Sequence, residues 1–229
     1  MTKIIAIGDI HGRDKWKKIL EQEQDTDKVV FIGDYFDSWT ESDKVILNNF
    51  KEILALKESD PDKYILLIGN HDFHYISDEQ YSGFRDAAKL ENGVCINKAI
   101  RDKSLQMAWS HQDYLFTHAG VTTTWAEANG VEGNGIADDI NLLFLSNPGA
   151  FKFTPGYNNS NTGDDITQSP IWVRPYSLTE DGIKGWLQVV GHTTNKTGIK
   201  ASDNAFYIDC NLIEYLIIND GQVSVGTVK

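Results

Sequence analysis

Four apolar runs, Lys3 to Ile7, Val29 to Ile32, Ile65 to Ile68 and Leu187 to Val190, each pass directly into a glycine followed by a carboxylate, amide or imidazole. Runs of this length, rich in β-branched residues, predict strands buried on both faces. The glycines permit tight turns and a close approach of backbone to ligand. A chain built this way is constrained to place its polar donors at the carboxyl ends of neighbouring strands, the rim where ligands bind in open α/β sheets.

The intervening segments agree with that constraint. Asp14 can cap a helix whose Trp16, Ile19 and Leu20 share a face. Ser42 or Asp43 opens a longer helix with Val45, Ile46, Asn49, Phe50, Ile53 and Leu54 on one stripe, closed before Pro61. Strand and helix thus alternate in the first part, which predicts a parallel or mixed sheet with helices on its faces. From Leu105 onward short strand-like runs follow, at Leu105 to Trp109, Tyr114 to Thr117, Leu187 to Val190, Ala205 to Ile208, Glu214 to Ile218 and Val223 to Val225. Turn residues such as Asn219, Asp220 and Gly221 join several of them, so the pattern predicts a second, largely antiparallel sheet packed on the first. Between them Asn129 to Pro170 is rich in Gly, Asn and Asp apart from a predicted helix at Ala137 to Leu145. An insertion of that length predicts a lid, a specificity element or a mobile segment. Residues 1–229 are expected to form a single domain.

Charge and cysteine content narrow the functional classes. A net charge of −12 disfavours a protein that binds by neutralising nucleic-acid phosphates, which requires clustered Lys and Arg. Cys95 and Cys210 are too few for a disulfide framework and lie in no CxxC spacing. The start of the chain enters the first strand without the layout of a signal peptide, and no apolar stretch approaches membrane-spanning length, so a cytoplasmic protein is expected.

The donors themselves form a recognisable set. Asp9 and His11 alternate on one extended segment and can face one ion together. Asp34 can bridge two ions through its two oxygens, and Asn70, His118 and His192 offer an amide oxygen and two imidazoles to the second. This mixture suits Mn, Fe or Zn rather than Ca, which favours oxygen alone. Any one Gly-Asp or Gly-His pair is commonly a turn or a cap. Four in order, each after a strand, together predict a two-metal phosphoester-cleaving site.

These phrases, GDIHG at Gly8 to Gly12, GDYFD at Gly33 to Asp37, GNHD at Gly69 to Asp72, HAG at His118 to Gly120 and GHT at Gly191 to Thr193, resemble those of the calcineurin-like metallophosphoesterases. Within that superfamily they are similar to the PPP-type phosphatases, because the last phrase lacks the second histidine of the GHxH found in many other members. The resemblance covers nearly the whole chain. It implies a four-layer αββα sandwich of two mixed sheets flanked by helices, and a hydrolase with a dinuclear metal centre and a bridging hydroxide. It also implies Asp9, His11 and Asp34 on the first metal and Asp34, Asn70, His118 and His192 on the second. Asp37 then orients and charges His71, which protonates the leaving alkoxide, while Arg174 and Asn70 hold the phosphate. The metal implied is Mn, with Fe or Zn as alternatives.

The sequence departs from the family pattern at two places. Ser38 stands where an arginine is expected, leaving open whether Arg13 takes that role, and Asp72 replaces a glutamate. His74 reads as a loop or partly packed histidine, and His111 as a turn residue. The activity implied is a PPP-like protein serine/threonine phosphatase acting on phosphorylated proteins or peptides. Hydrolysis of dinucleoside polyphosphates such as diadenosine tetraphosphate is the alternative, and a catalytically silent protein-binding domain is the reading from another class.

Overall fold

The computed structural model describes residues 2–157 and 162–229. Strands β1 (Lys3–Ile7), β2 (Lys28–Phe31), β3 (Tyr64–Leu67) and β4 (Leu105–Gln106) run parallel in that order. Their connections include helices α1 (Trp16–Gln22), α2 (Asp43–Ser59), α3 (Asn70–Phe73) and α4 (Lys89–Arg101). Period-2 geometry splits the apolar runs between two cores. Ile5 and Ile7 of β1 join the core shared with Trp16, Ile46, Phe50 and Ile53 of the helices, whereas Ile4 and Ala6 face the interior between the sheets.

The second sheet contains β5 (Ala108–His111), β6 (Tyr114–Thr117), β7 (Leu187–Val190), β8 (Lys200–Ala201) and β9 (Ala205–Tyr207), in the order β5-β6-β7-β9-β8. Its central pairs, β6 with β7 and β7 with β9, are parallel, so the sheet is mixed rather than largely antiparallel. The hairpin of β10 (Glu214–Asn219) and β11 (Gln222–Thr227) does not belong to it. Instead β10 pairs antiparallel with β1 and extends the first sheet. Asp220 and Gly221 close that hairpin with positive φ at both positions, as a two-residue turn between right-twisted strands requires. The sheets pack through Ile4, Val30, Leu67, Phe116, Val189 and Leu216, giving two mixed sheets with helices outside them.

The predicted strand at Leu105 to Trp109 divides at Met107, where the chain leaves the first sheet for the second. Asn141 meets the backbone groups freed at that corner. Its Oδ1 accepts from Met107 N and Ala108 N at 2.8 and 3.0 Å, and its Nδ2 donates to Ala108 O at 2.9 Å. Asn141 lies on α6 (Ile136–Ser146), which follows α5 (Thr123–Asn129) and buries Ile136, Ile140 and Phe144 in the core. Within the Asn129 to Pro170 insertion, α6 and Phe151 pack into the core, Tyr157 is exposed, and residues 158–161 lie outside the described region.

Smaller expectations also change. The cap residue of α1 is Lys15, and Asp14 contributes only its carbonyl, which accepts from Lys17 N. On α2 Val45 is exposed, and Leu47 is buried in its place. Among the described residues no helix is long and apolar enough to cross a membrane.

Candidate metal centre

The donors predicted from the sequence converge at the carboxyl rim shared by the two sheets. Asp9 and His11 follow β1, Asp34 follows β2, Asn70 and His71 begin α3 after β3, His118 follows β6, and His192 follows β7. Sharp turns aim them: His11, Asp34, Asp37 and His192 all have positive φ, a conformation uncommon for residues with a Cβ and concentrated at functional sites. Two glycines are fixed by contact. A Cβ on Gly69 would stand 2.1 Å from Asp34 Oδ1, and one on Gly191 would stand 2.0 Å from Asp9 Oδ1.

Asp72 organises two of these turns. Wholly buried, it accepts from Asp34 N and Gly69 N through Oδ2, and from Tyr35 N and Phe36 N through Oδ1. Burial first, and Asp34 second, push its carboxyl up to about 7, against the pull of the backbone N–H groups. A carboxylate one methylene shorter than glutamate suits this position because its partners are backbone groups of the adjacent turn.

The imidazoles are oriented by backbone carbonyls. His11 Nδ1 donates to Phe36 O and Asp37 O at 2.8 and 2.7 Å, His118 Nδ1 donates to Ile32 O at 2.9 Å, and His192 Nε2 donates to Trp172 O at 3.2 Å. Such carbonyl contacts fix the tautomer and direct the other ring nitrogen inward. Those inward atoms meet acceptors. With the Asn70 amide assigned oxygen-inward, its Oδ1 lies 3.0 Å from His118 Nε2 and 2.9 Å from His192 Nδ1. Asp34 Oδ2 lies 3.3 Å from His118 Nε2 and 3.7 Å from His11 Nε2.

Lone pairs gathered this closely require positive charge between them. A proton on His118 supplies part of it: burial opposes that charge, but Asp34 and Asp9 outweigh burial and raise the ring to about 9. A metal ion is the other solution, and ligands about 2 Å from an ion lie about 3 Å from one another, matching these separations. The donor set of carboxylate, amide and imidazole therefore fits transition-metal ions. Asp9, Asp34 and His118 form one group able to hold an ion, His11, Asp34 and His71 a second that shares Asp34, and Asp37, His71 and His74 a third, so Asp9 and His11 fall in separate groups and not in one as the sequence predicts.

The remaining charges fit the same picture. Burial would raise Asp34, yet His118, His71 and His11 hold it well below the usual carboxylate range. Asp9 is raised by burial and then by Asp209, and its carboxylate accepts from His192 N. Burial lowers His192, assisted by the Arg174 cation, so this ring is neutral.

Beside the donors, His71 Nδ1 donates to Asp37 Oδ2 at 2.8 Å, and Tyr75 Oη donates to Asp37 Oδ1 at 2.5 Å. Burial works against the charged ring of His71, but Asp34 and Asp37 outweigh it and raise its pKa. His74 lies in the turn that ends α3 but is fully rather than partly packed, with Nε2 2.8 Å from Asp37 Oδ2 but off the line of a straight hydrogen bond. His111 ends β5 at a hairpin, close to expectation.

Arg174 lies at the same rim, opening α7 (Pro175–Asp181). Its Nη1 donates to His192 O and Thr193 Oγ1 at 3.2 and 3.1 Å, and its Nε donates to Thr162 O at 2.9 Å. Arg13 points elsewhere, donating to Asn211 Oδ1 at 2.9 Å and reaching the carbonyls of Asp9 and Ile10. The arginine near Ser38 is Arg85, which donates to Ser38 O and pairs with Asp43 at 2.6 Å. Sequence reasoning missed Tyr75, Thr193, Arg85 and Asp209. Asp209 had a usable signal, since it follows an apolar run just as Asp9 and Asp34 do.

Residues 2–199 match the family described as calcineurin-like phosphoesterases, and the chain belongs to that family. No curated protein matches. Among solved structures, the cold-active protein-tyrosine phosphatase of a psychrophilic Shewanella species has 17% identity and a TM-score of 0.69, over 100% of this chain and 81% of that one. A protein serine/threonine phosphatase from Saccharomyces cerevisiae has 15% identity and a TM-score of 0.55, over 100% of this chain and 80% of the other. At these identities the likeness is one of fold. Family membership makes the protein a phosphoester hydrolase that depends on metal ions.

Proposed function

We propose that the protein is a phosphomonoesterase of the PPP-like kind that acts on phosphorylated proteins or peptides, as a single catalytic domain. The supporting observation is the convergence of Asp34, Asn70, His118 and His192, from both sheets, on one set of inward lone pairs, with His71 and Arg174 at its edge.

Asp9, His11 and Asp34 would hold one ion, and Asp34, Asn70, His118 and His192 the other, with manganese the expected metal and iron or zinc as alternatives. Ions held there supply Lewis acidity toward phosphoryl oxygens and lower the pKa of water. Arg174 has two of its guanidinium nitrogens fixed by the protein, while Nη2 has no protein partner among the described residues and is available to a phosphoryl oxygen. The Asn70 amide nitrogen is available in the same way. His71, oriented by Asp37 and raised in pKa by Asp34 and Asp37, donates its proton to the departing alkoxide, which is otherwise a poor leaving group.

Manganese-reconstituted protein assayed on phosphopeptides and on diadenosine tetraphosphate tests this function. Faster turnover of phosphopeptides supports it. Turnover confined to the dinucleotide establishes the alternative, and absence of any turnover leaves the catalytically silent domain.

A further inference from the structure

Trp39 is 74% exposed, yet it sits among the groups that handle the phosphoester. Its ring centroid lies 6.4 Å from that of His11 and 6.3 Å from that of His71, edge-on to both. The turn carrying it is braced from three sides. Ser38 Oγ accepts from Thr40 N and Glu41 N at 3.3 and 3.2 Å, Arg85 grips Ser38 O and Asp43, and Gly83 lies against both Trp39 and Asp37. At Gly83, with φ of +89°, a Cβ would stand 3.3 Å from Trp39 Cη2 and from Asp37 Oδ2. An exposed indole is ordinarily a lone surface residue. This one is held in place beside the proton donor, one residue beyond Ser38, which stands where the family pattern has an arginine.

We propose that Trp39 forms a subsite for an aromatic ring bonded directly to the scissile oxygen, making aryl phosphates such as phosphotyrosine the favoured substrates. The inference rests on the phosphoesterase function assigned above and specifies its leaving group. The departing oxygen must lie within a hydrogen bond of His71. One such bond, a carbon–oxygen bond and a ring radius together span about 6 Å, comparable with the separation of His71 from Trp39. A phenyl ring on that oxygen, turned to the Trp39 side of His71, reaches the indole at the 4.5–7 Å or so where offset or edge-on pairs form. The single methylene of a phosphoserine makes little of this contact. A nucleobase, separated from the scissile oxygen by ribose or further phosphate, lies beyond it.

The test compares one peptide phosphorylated on tyrosine with the same peptide phosphorylated on serine, using manganese-loaded wild type, Trp39→Ala and Trp39→Phe. Dividing each variant's kcat/KM by the wild-type value cancels the intrinsic difference between phenol and alcohol leaving groups. Trp39→Ala is expected to lower the tyrosine-to-serine ratio by about fivefold to tenfold, chiefly through KM, with Trp39→Phe restoring most of it. Binding gives a second readout: benzylphosphonate should lose affinity to Trp39→Ala by a similar factor relative to ethylphosphonate. Unchanged ratios, or a Trp39→Phe variant as impaired as Trp39→Ala, overturn the subsite while leaving the phosphoesterase assignment standing. A wild-type protein that hydrolyses neither peptide overturns both.

Discussion

Asp9, Asp34, Asn70 and His118 on the floor of the cleft are at most 3% exposed, whereas Trp39 at its mouth is 74% exposed and Tyr176, two residues beyond Arg174, is 69% exposed. The floor is carried by segments that directly follow strands and are tied down by burial and hydrogen bonds. At the mouth Trp39 lies in an irregular turn and Tyr176 on the first turn of α7. Charged and dipolar groups need submolecular precision to act on a reacting phosphate, and strand ends supply it. Discrimination between leaving groups tolerates looser geometry and can reside in a braced loop. On the function and the subsite proposed above, the reaction belongs to the floor and the choice of leaving group to the mouth.

Substitutions in the floor and its acid should therefore have the larger effects. His71→Asn is expected to lower kcat on an alkyl phosphate by about 10²- to 10³-fold. On 2,4-dinitrophenyl phosphate, whose leaving group needs no proton, the loss should be less than about tenfold. Equal losses on the two esters, with metal content unchanged, would remove the general-acid role.

The floor also sets a pH dependence. His118 in metal-free protein is raised to about 9, above the ordinary histidine value of 6.5. Its ion pair with Asp34 is complete below about pH 6.5 and lost as pH rises through about 9. Metal-free protein should lose on the order of 3 kcal/mol of stability across that window. Urea denaturation at several pH values measures it, and a flat profile would contradict the assigned charge. Because a ligand histidine must shed this proton, metal affinity should rise across the same window.

At the rim between floor and mouth, Arg174→Ala is expected to cost about tenfold to thirtyfold in kcat/KM, as for a lost hydrogen bond to a charged group. Calorimetric binding of inorganic phosphate provides the independent check. Unchanged phosphate affinity would place the arginine outside the phosphate site.

The floor was legible in the sequence because each of its parts is local: an apolar run, a glycine and a donor. The walls were not, because their partners are distant. His74 touches Asp37 across 37 positions of chain, and Arg85 reaches Ser38 across 47. The β10–β11 hairpin read correctly as a hairpin from Asn219 to Gly221, yet nothing local in it distinguishes pairing with β1 from pairing with β9. Helix α4 is hidden from a local reading for a physical reason. Its interior carries Asn92 and Gly93, poor helix formers, and a Cβ on Gly93 would stand 2.8 Å from Tyr75 O, so packing selects the residue that propensity disfavours.

The central claim is that side chains from both sheets share a pair of cations through Asp34. Metal content after reconstitution and removal of free ions tests it most directly. Wild-type protein is predicted to retain two manganese ions per chain, and Asp34→Ala, verified as folded by circular dichroism, fewer than one. Equal metal content in the two proteins, or none in the wild type, would contradict the account.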